Sequence, residues 1–102
     1  MRKRFRIRAE AQAEIVEAFN FYNLPNHERG QRFLTALDAA LDYIEDFPLA
    51  NSVRFDTVRR STIRGFAFAL LYTVSETQDE QDILVTACVH ERSDPQKWRV
   101  DE

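Results

Sequence analysis

Phe66-Ala67-Phe68-Ala69-Leu70-Leu71-Tyr72-Thr73-Val74-Ser75 is a strongly apolar run from which the architecture can be built. Phe66, Phe68, Leu70, Tyr72 and Val74 alternate to one side, and Ala67, Ala69, Leu71 and Thr73 to the other. A strand apolar on both sides is covered, at least partly, on both faces, so it sits inside a sheet. Gly65 just before it is a turn signal, and residues 53–64 upstream alternate loosely as a partner strand. Glu76 to Gln81 is a polar loop. Ile83 to Val89 then reads as a last strand, with Ile83, Val85, Ala87 and Val89 on one face and Leu84, Thr86, Cys88 and His90 on the other. Gaps this short predict antiparallel hairpins.

Upstream, Lys3-Arg4-Phe5-Arg6-Ile7-Arg8 alternates two apolar residues with arginines, the pattern of a half-buried strand with a cationic face. From Ala9 the period changes. Ile15, Ala18, Phe19 and Tyr22 are spaced for one face of a helix, with Glu10, Glu14 and Glu17 elsewhere on its surface. Pro25 breaks that helix and Asn26 is placed to cap the next. Phe33, Ala36, Leu37, Ala40, Leu41 and Ile44 form the apolar stripe of the second helix, which Pro48 ends. Two helices with one apolar stripe each must lie on something else. The expected fold is α+β, in the order β-α-α-β-β-β, an antiparallel sheet with a two-helix hairpin packed on one face.

At 102 residues this is one domain, spanning residues 1–102. A single cysteine, Cys88, excludes a disulfide framework and a cysteine-clustered zinc site. Two glycines are too few for a phosphate-cradling loop. No metal-ligand spacing is present, and no cofactor is expected. No apolar run is long enough to span a membrane, and the basic N-terminus lacks the apolar stretch of a signal peptide, so the expected location is the cytoplasm. The net charge of -3 hides a segregated distribution. Arg2, Lys3, Arg4, Arg6 and Arg8 crowd the start, and Arg54, Arg59, Arg60 and Arg64 crowd the strand before Gly65. Acids dominate between them and again at Glu76, Asp79, Glu80 and Asp82. Such segregation makes local fields of opposite sign on one small body.

Arginine suits phosphate or carboxylate partners, because its planar fork donates hydrogen bonds in pairs. In a strand Arg60 and Arg64 point one way and Arg59 the other. The plainer reading is an edge strand whose charges block aggregation. His90 closes the last strand with Arg92 beside it. Such a pair can move a proton and stabilise developing charge in phosphoryl chemistry on RNA. The plainer reading is a histidine that hydrogen-bonds the closing turn. Cys88 inside an apolar strand reads as a buried, inert thiol. Ser93-Asp94-Pro95 is placed to cap a short closing turn, with Trp98 packing back.

Val58-Arg59-Arg60-Ser61-Thr62-Ile63-Arg64-Gly65-Phe66 followed by Ala69-Leu70-Leu71-Tyr72 resembles the central strands of the RelE/ParE toxin superfamily. Val85 to His90, with Arg92, Asp94-Pro95 and Trp98, resembles that family's closing segment. Ala13-Glu14-Ile15, Phe21-Tyr22, Arg32-Phe33-Leu34 and Phe47-Pro48 fit its two helices in order. The resemblance implies the toxin of a type II toxin–antitoxin pair, of the kind linked to plasmid stabilization, neutralised by a cognate antitoxin. Within the superfamily, ParE-like members poison DNA gyrase and RelE-like members cut messenger RNA on the ribosome. Lys3 and Lys97 are the only lysines, no tyrosine follows Tyr72 and the chain is acidic overall, which favours the ParE-like branch. In the ribonuclease alternative, the catalytic candidates are Arg60, Arg64, His90 and Arg92. A third alternative is a non-toxic member that retains antitoxin binding. The antitoxin- or target-binding candidates are Arg4, Phe5, Arg6, Arg54, Arg59 and Trp98, which combine charge with apolar anchors. The expected assembly is a homodimer or a hetero-oligomer with the antitoxin.

Overall fold

A computed structural model of the chain describes residues 2–92. Ser93, Asp94, Pro95 and Trp98, to which the sequence assigns a closing turn and a binding role, lie outside the described residues. The elements are β1 (Arg2–Ile7), α1 (Ala9–Asn23), α2 (His27–Asp46), β2 (Val53–Phe55), β3 (Val58–Thr62), β4 (Phe68–Glu76) and β5 (Glu80–His90). They form one five-stranded sheet in the order β1-β5-β4-β3-β2.

The fold is α+β with the helical hairpin on one face of the sheet, but the sheet is mixed. β2 to β5 pair antiparallel with their sequence neighbours. β1 instead joins the edge beside β5 and runs parallel to it, with Phe5 opposite Ile83 and Ile7 opposite Val85. This corrects the all-antiparallel expectation, and the reason is geometric. The helical hairpin runs down and back, so the chain enters β2 at the end where it left β1. Three further reversals then bring β5 parallel to β1. Period-2 alternation carries no information on strand direction.

Two boundaries also move. The segment 53–64 is a hairpin rather than one strand, because Asp56 takes a left-handed backbone (φ 55°) and turns the chain between β2 and β3. The strand β4 starts at Phe68, because Gly65 (φ 86°) makes a turn that uses Phe66: its N–H donates to the Ile63 carbonyl at 3.0 Å.

The core lies between helices and sheet. Ala18 and Tyr22 of α1 and Phe33, Leu37 and Ile44 of α2 meet Leu70, Tyr72, Ile83 and Val85, all buried. Asn26 caps α2 as its spacing predicts, its Oδ1 accepting from the Arg29 N–H at 3.2 Å. Gly30 lets the helices approach at their hinge, since a Cβ there would overlap the Asn23 side chain. A smaller cluster of Val58, Leu71 and Val89 occupies the opposite face of the sheet.

The pairing of β4 with β5 contains one irregularity that matters for function. Leu71 opposes Ala87 while Tyr72 opposes Val85, so Thr86 is an extra residue on β5. Its hydroxyl donates to the Leu71 carbonyl at 3.3 Å. A one-residue insertion exchanges the faces of everything beyond it. Ile83 and Val85 therefore share the helix side with Cys88 and His90, while Ala87 and Val89 go to the other side. Unbroken alternation over Ile83 to Val89 predicts the opposite grouping.

Candidate partner-binding surfaces

The register sorts the cationic residues by face. On β1, Arg4 and Arg6 oppose Asp82 and Leu84 and point away from the helices. Phe5 points toward them and packs against the main core. The Arg6 guanidinium grips Asp82 with two contacts, Nη2–Oδ2 at 2.8 Å and Nε–Oδ1 at 3.3 Å. Arg8 pairs with Glu10 at 3.1 Å. Among the described residues these are the only two ion pairs, so Arg4 remains uncompensated.

On β3, Arg59 opposes Tyr72 and points to the helix side, while Arg60 opposes Leu71 on the other face. The Arg59 guanidinium is engaged internally. It donates to the carbonyls of Asn51 and Leu49 and fastens the loop that follows α2. Arg60 is half-buried, and its Nε has no hydrogen-bond partner among the described residues. Arg54 is exposed on the short edge strand β2. Arg64 leaves the strand altogether and lies in the turn before Gly65.

The catalytic candidates therefore occupy different places. His90 opposes Phe68, on the helix side of the sheet, and packs against its ring at 5.3 Å. Arg92 is its close neighbour, its backbone N–H donating to His90 Nδ1 at 3.2 Å. Arg60 is on the opposite face, and Arg64 is beside α2. His90 opens into a cavity of about 400 Å³ whose other walls include Glu14, Glu17, Phe21 and Cys88. Glu14 Oε1 accepts the Cys88 N–H at 3.0 Å. The Cys88 thiol is pushed up to about 12, first by burial and then by the Glu14 charge, so it carries no thiolate near neutral pH. Two carboxylates line the cavity that the imidazole enters, which makes it an unfavourable seat for a phosphate backbone. Sequence spacing cannot show Glu14 and Glu17 beside His90, because the packing of α1 on β5 and the bulge at Thr86 bring them together. Among the described residues no group of His, Cys, Asp and Glu could hold a metal ion.

A second and larger groove, about 640 Å³, runs between α2 and the turn joining β3 to β4. Arg29, Arg32, Ala36 and Ala39 line it from the helix, with Arg64 and Phe66 opposite. The Arg29 guanidinium lies over the Tyr22 ring at 5.1 Å and the Phe66 ring at 5.9 Å. Arg64 is the one member flagged by the sequence. Arg29 and Arg32 read there as two cations in an acidic stretch.

No helix among the described residues is long and apolar enough to cross a membrane. No protein family model matches the chain, and no curated protein matches it in sequence. Among solved structures, the chain is similar in fold to a chain of the chromosomal ParDE TA system from P. aeruginosa, with a TM-score of 0.69 and 12% sequence identity over 86% of this chain and 95% of that one.

Proposed function

We propose that the chain is the toxin of a type II toxin–antitoxin pair, acting in the cytoplasm, neutralised by a cognate antitoxin and directed at DNA gyrase in the manner of the ParE-like branch. The likeness to the ParDE structure over nearly the full length of both chains is the observation that carries the reading. The strand sequences around Arg60, Tyr72 and His90 agree with it. The dispersal of the ribonuclease candidates favours a gyrase-directed toxin over a messenger RNA nuclease. Arg60 and His90 lie on opposite faces of the sheet, and His90 shares its cavity with Glu14 and Glu17. A cleavage site needs cations where charge develops on the phosphate.

Induced expression of the chain, alone and together with the reading frame beside its gene, tests this. Growth arrest relieved by the neighbour is expected. Inhibition of supercoiling by purified gyrase, with no new messenger RNA ends by primer extension, is expected for the ParE-like branch. New cleavage ends with unaffected supercoiling would move the chain to the RelE-like alternative. Unimpeded growth with retained antitoxin binding would make it a non-toxic member.

A further inference from the structure

Beyond Val85, the side of β5 that β1 covers has no strand neighbour, because β1 ends at Ile7 and the chain turns into α1. The helix closes that side instead. Glu14 accepts the Cys88 N–H, and Glu14, Glu17 and Phe21 enclose the cavity of about 400 Å³ together with Phe68, Cys88 and His90. Glu14 and Glu17 are like charges one turn apart on α1, an arrangement that disfavours the helix. Both stand past its first turn, where the helix dipole no longer offsets them. No lysine or arginine lines the cavity, and neither carboxylate has a cationic partner among the described residues. Phe21 is 63% exposed and meets Phe68 in a T-shaped contact with ring centroids 5.9 Å apart, so ring surface is left open. Cys88 on the inner wall is 5% exposed, and its sulfur has no hydrogen-bond partner among the described residues.

We infer that this cavity binds a short aliphatic dication, a diamine or guanidino-amine, with one charged end on each of Glu14 and Glu17 and its methylene chain against Phe21 and Phe68. Two carboxylates without a counter-ion match two positive charges. Residues three apart on a helix are neighbours, about 5–6 Å between Cβ atoms, a distance that a short diamine spans. Aromatic ring faces attract an ammonium or guanidinium, and they also pack against the methylenes between the charges. The cavity volume lies at the lower end of the range in which proteins enclose small molecules. A bare metal ion fits poorly, because among the described residues no group of His, Cys, Asp and Glu could hold one. An anion would meet both carboxylates. The site does not depend on the toxin–antitoxin reading, which the growth assay judges separately.

The test is isothermal titration calorimetry of the full chain with putrescine and agmatine, alongside proton NMR of the two histidine rings. Saturable binding that weakens with added salt is expected, and the His90 ring signals should shift while those of His27, which does not line the cavity, stay in place. Butylammonium, with one charge, should bind more weakly than putrescine, and uncharged 1,4-butanediol should not bind. The double substitution Glu14→Gln, Glu17→Gln should weaken putrescine by about tenfold or more, the size of a lost charge-assisted hydrogen bond. The glutamine at position 14 can still accept the Cys88 N–H. Asp38→Asn, an exposed acid on α2, should leave binding unchanged. Thermal melts establish that each variant is folded, and Glu17→Lys, at an exposed position, replaces the double variant if that one does not fold. No saturable binding, equal binding of butanediol, indifference to the glutamate variants, or a shift of His27 in place of His90 overturns the inference. So does tighter binding of N-acetyl-arginine amide than of either dication, which would assign the cavity to an arginine side chain of a partner protein.

Discussion

The Tyr72 hydroxyl donates to the Pro48 carbonyl at 2.9 Å and accepts from Asn51 Nδ2 at 3.2 Å. One side chain at the middle of the central strand thereby holds the loop that returns the chain from α2 to the sheet. Arg59 holds the same loop through Leu49 and Asn51. Tyr72 is fully buried, so the Pro48 carbonyl loses its partner without gaining water when the hydroxyl is removed. Tyr72→Phe should cost about 1–3 kcal/mol in urea unfolding. Because burial raises the phenol above its usual 10.0, its contribution is complete below pH 10 in the wild type and fades as the solution rises through the folded value.

Gly30 offers a sharper test of packing. Glycine to alanine in a helix interior normally stabilises by about 1 kcal/mol. Here the new Cβ would meet the Asn23 side chain at the hinge of the two helices. Gly30→Ala should therefore destabilise, by about 1–3 kcal/mol, the usual range for an overpacked site. Asn23→Gly clears that space, because the Asn23 Cβ itself would lie 2.5 Å from the new one, and Asn23 Oδ1 is buried without a hydrogen-bond partner among the described residues. The double variant should recover most of the loss, and a double-mutant cycle by chemical denaturation measures it. Additive losses would mean that the hinge relaxes independently of Asn23.

These residues also mark how far the sequence could be read. The helices were legible because an apolar stripe over a Pro-broken hairpin has one simple solution, and Asn26 announced its own cap. The helix-side contributions of Leu70 and Tyr72 followed from alternation. Strand direction did not follow, since Phe5 and Ile7 alternate identically beside a parallel or an antiparallel partner. The bulge at Thr86 was hidden because nothing in Leu84-Val85-Thr86-Ala87 marks an inserted residue, and it reverses the faces of Cys88 and His90. The groove was hidden for a different reason. Arg29 and Arg32 are separated from Arg64 by more than thirty positions and meet only because the β3–β4 turn folds back onto α2.

Cys88 gives a pH-dependent prediction. Its thiol ionises near its ordinary 9.0 in the unfolded chain and is pushed up to about 12 in the folded one. Between those values the unfolded state holds fewer protons than the folded state, so stability falls as pH rises. The loss begins near 9 and is complete near 12. Cys88→Ala should flatten that part of the curve in thermal melts taken across alkaline buffers. At neutral pH the folded wild-type chain should react with a thiol reagent only at the rate of unfolding.

His90 separates the two activities most economically. Its Nδ1 is occupied by the Arg92 backbone N–H, and its ring edge is packed on Phe68, while Glu14 and Glu17 line the cavity that it faces. In a gyrase-directed toxin this imidazole organises the end of β5 and performs no proton transfer. His90→Ala should then leave growth arrest intact and cost stability, by about 0.5–1.5 kcal/mol for a lost hydrogen bond. His90→Asn, whose side-chain oxygen can still accept from Arg92, should recover part of that stability. Loss of arrest in both variants, with thermal stability preserved, would assign the imidazole to chemistry. It would also bring back a nuclease that must recruit its phosphate-binding cations from Arg92 and its surroundings rather than from Arg60 across the sheet.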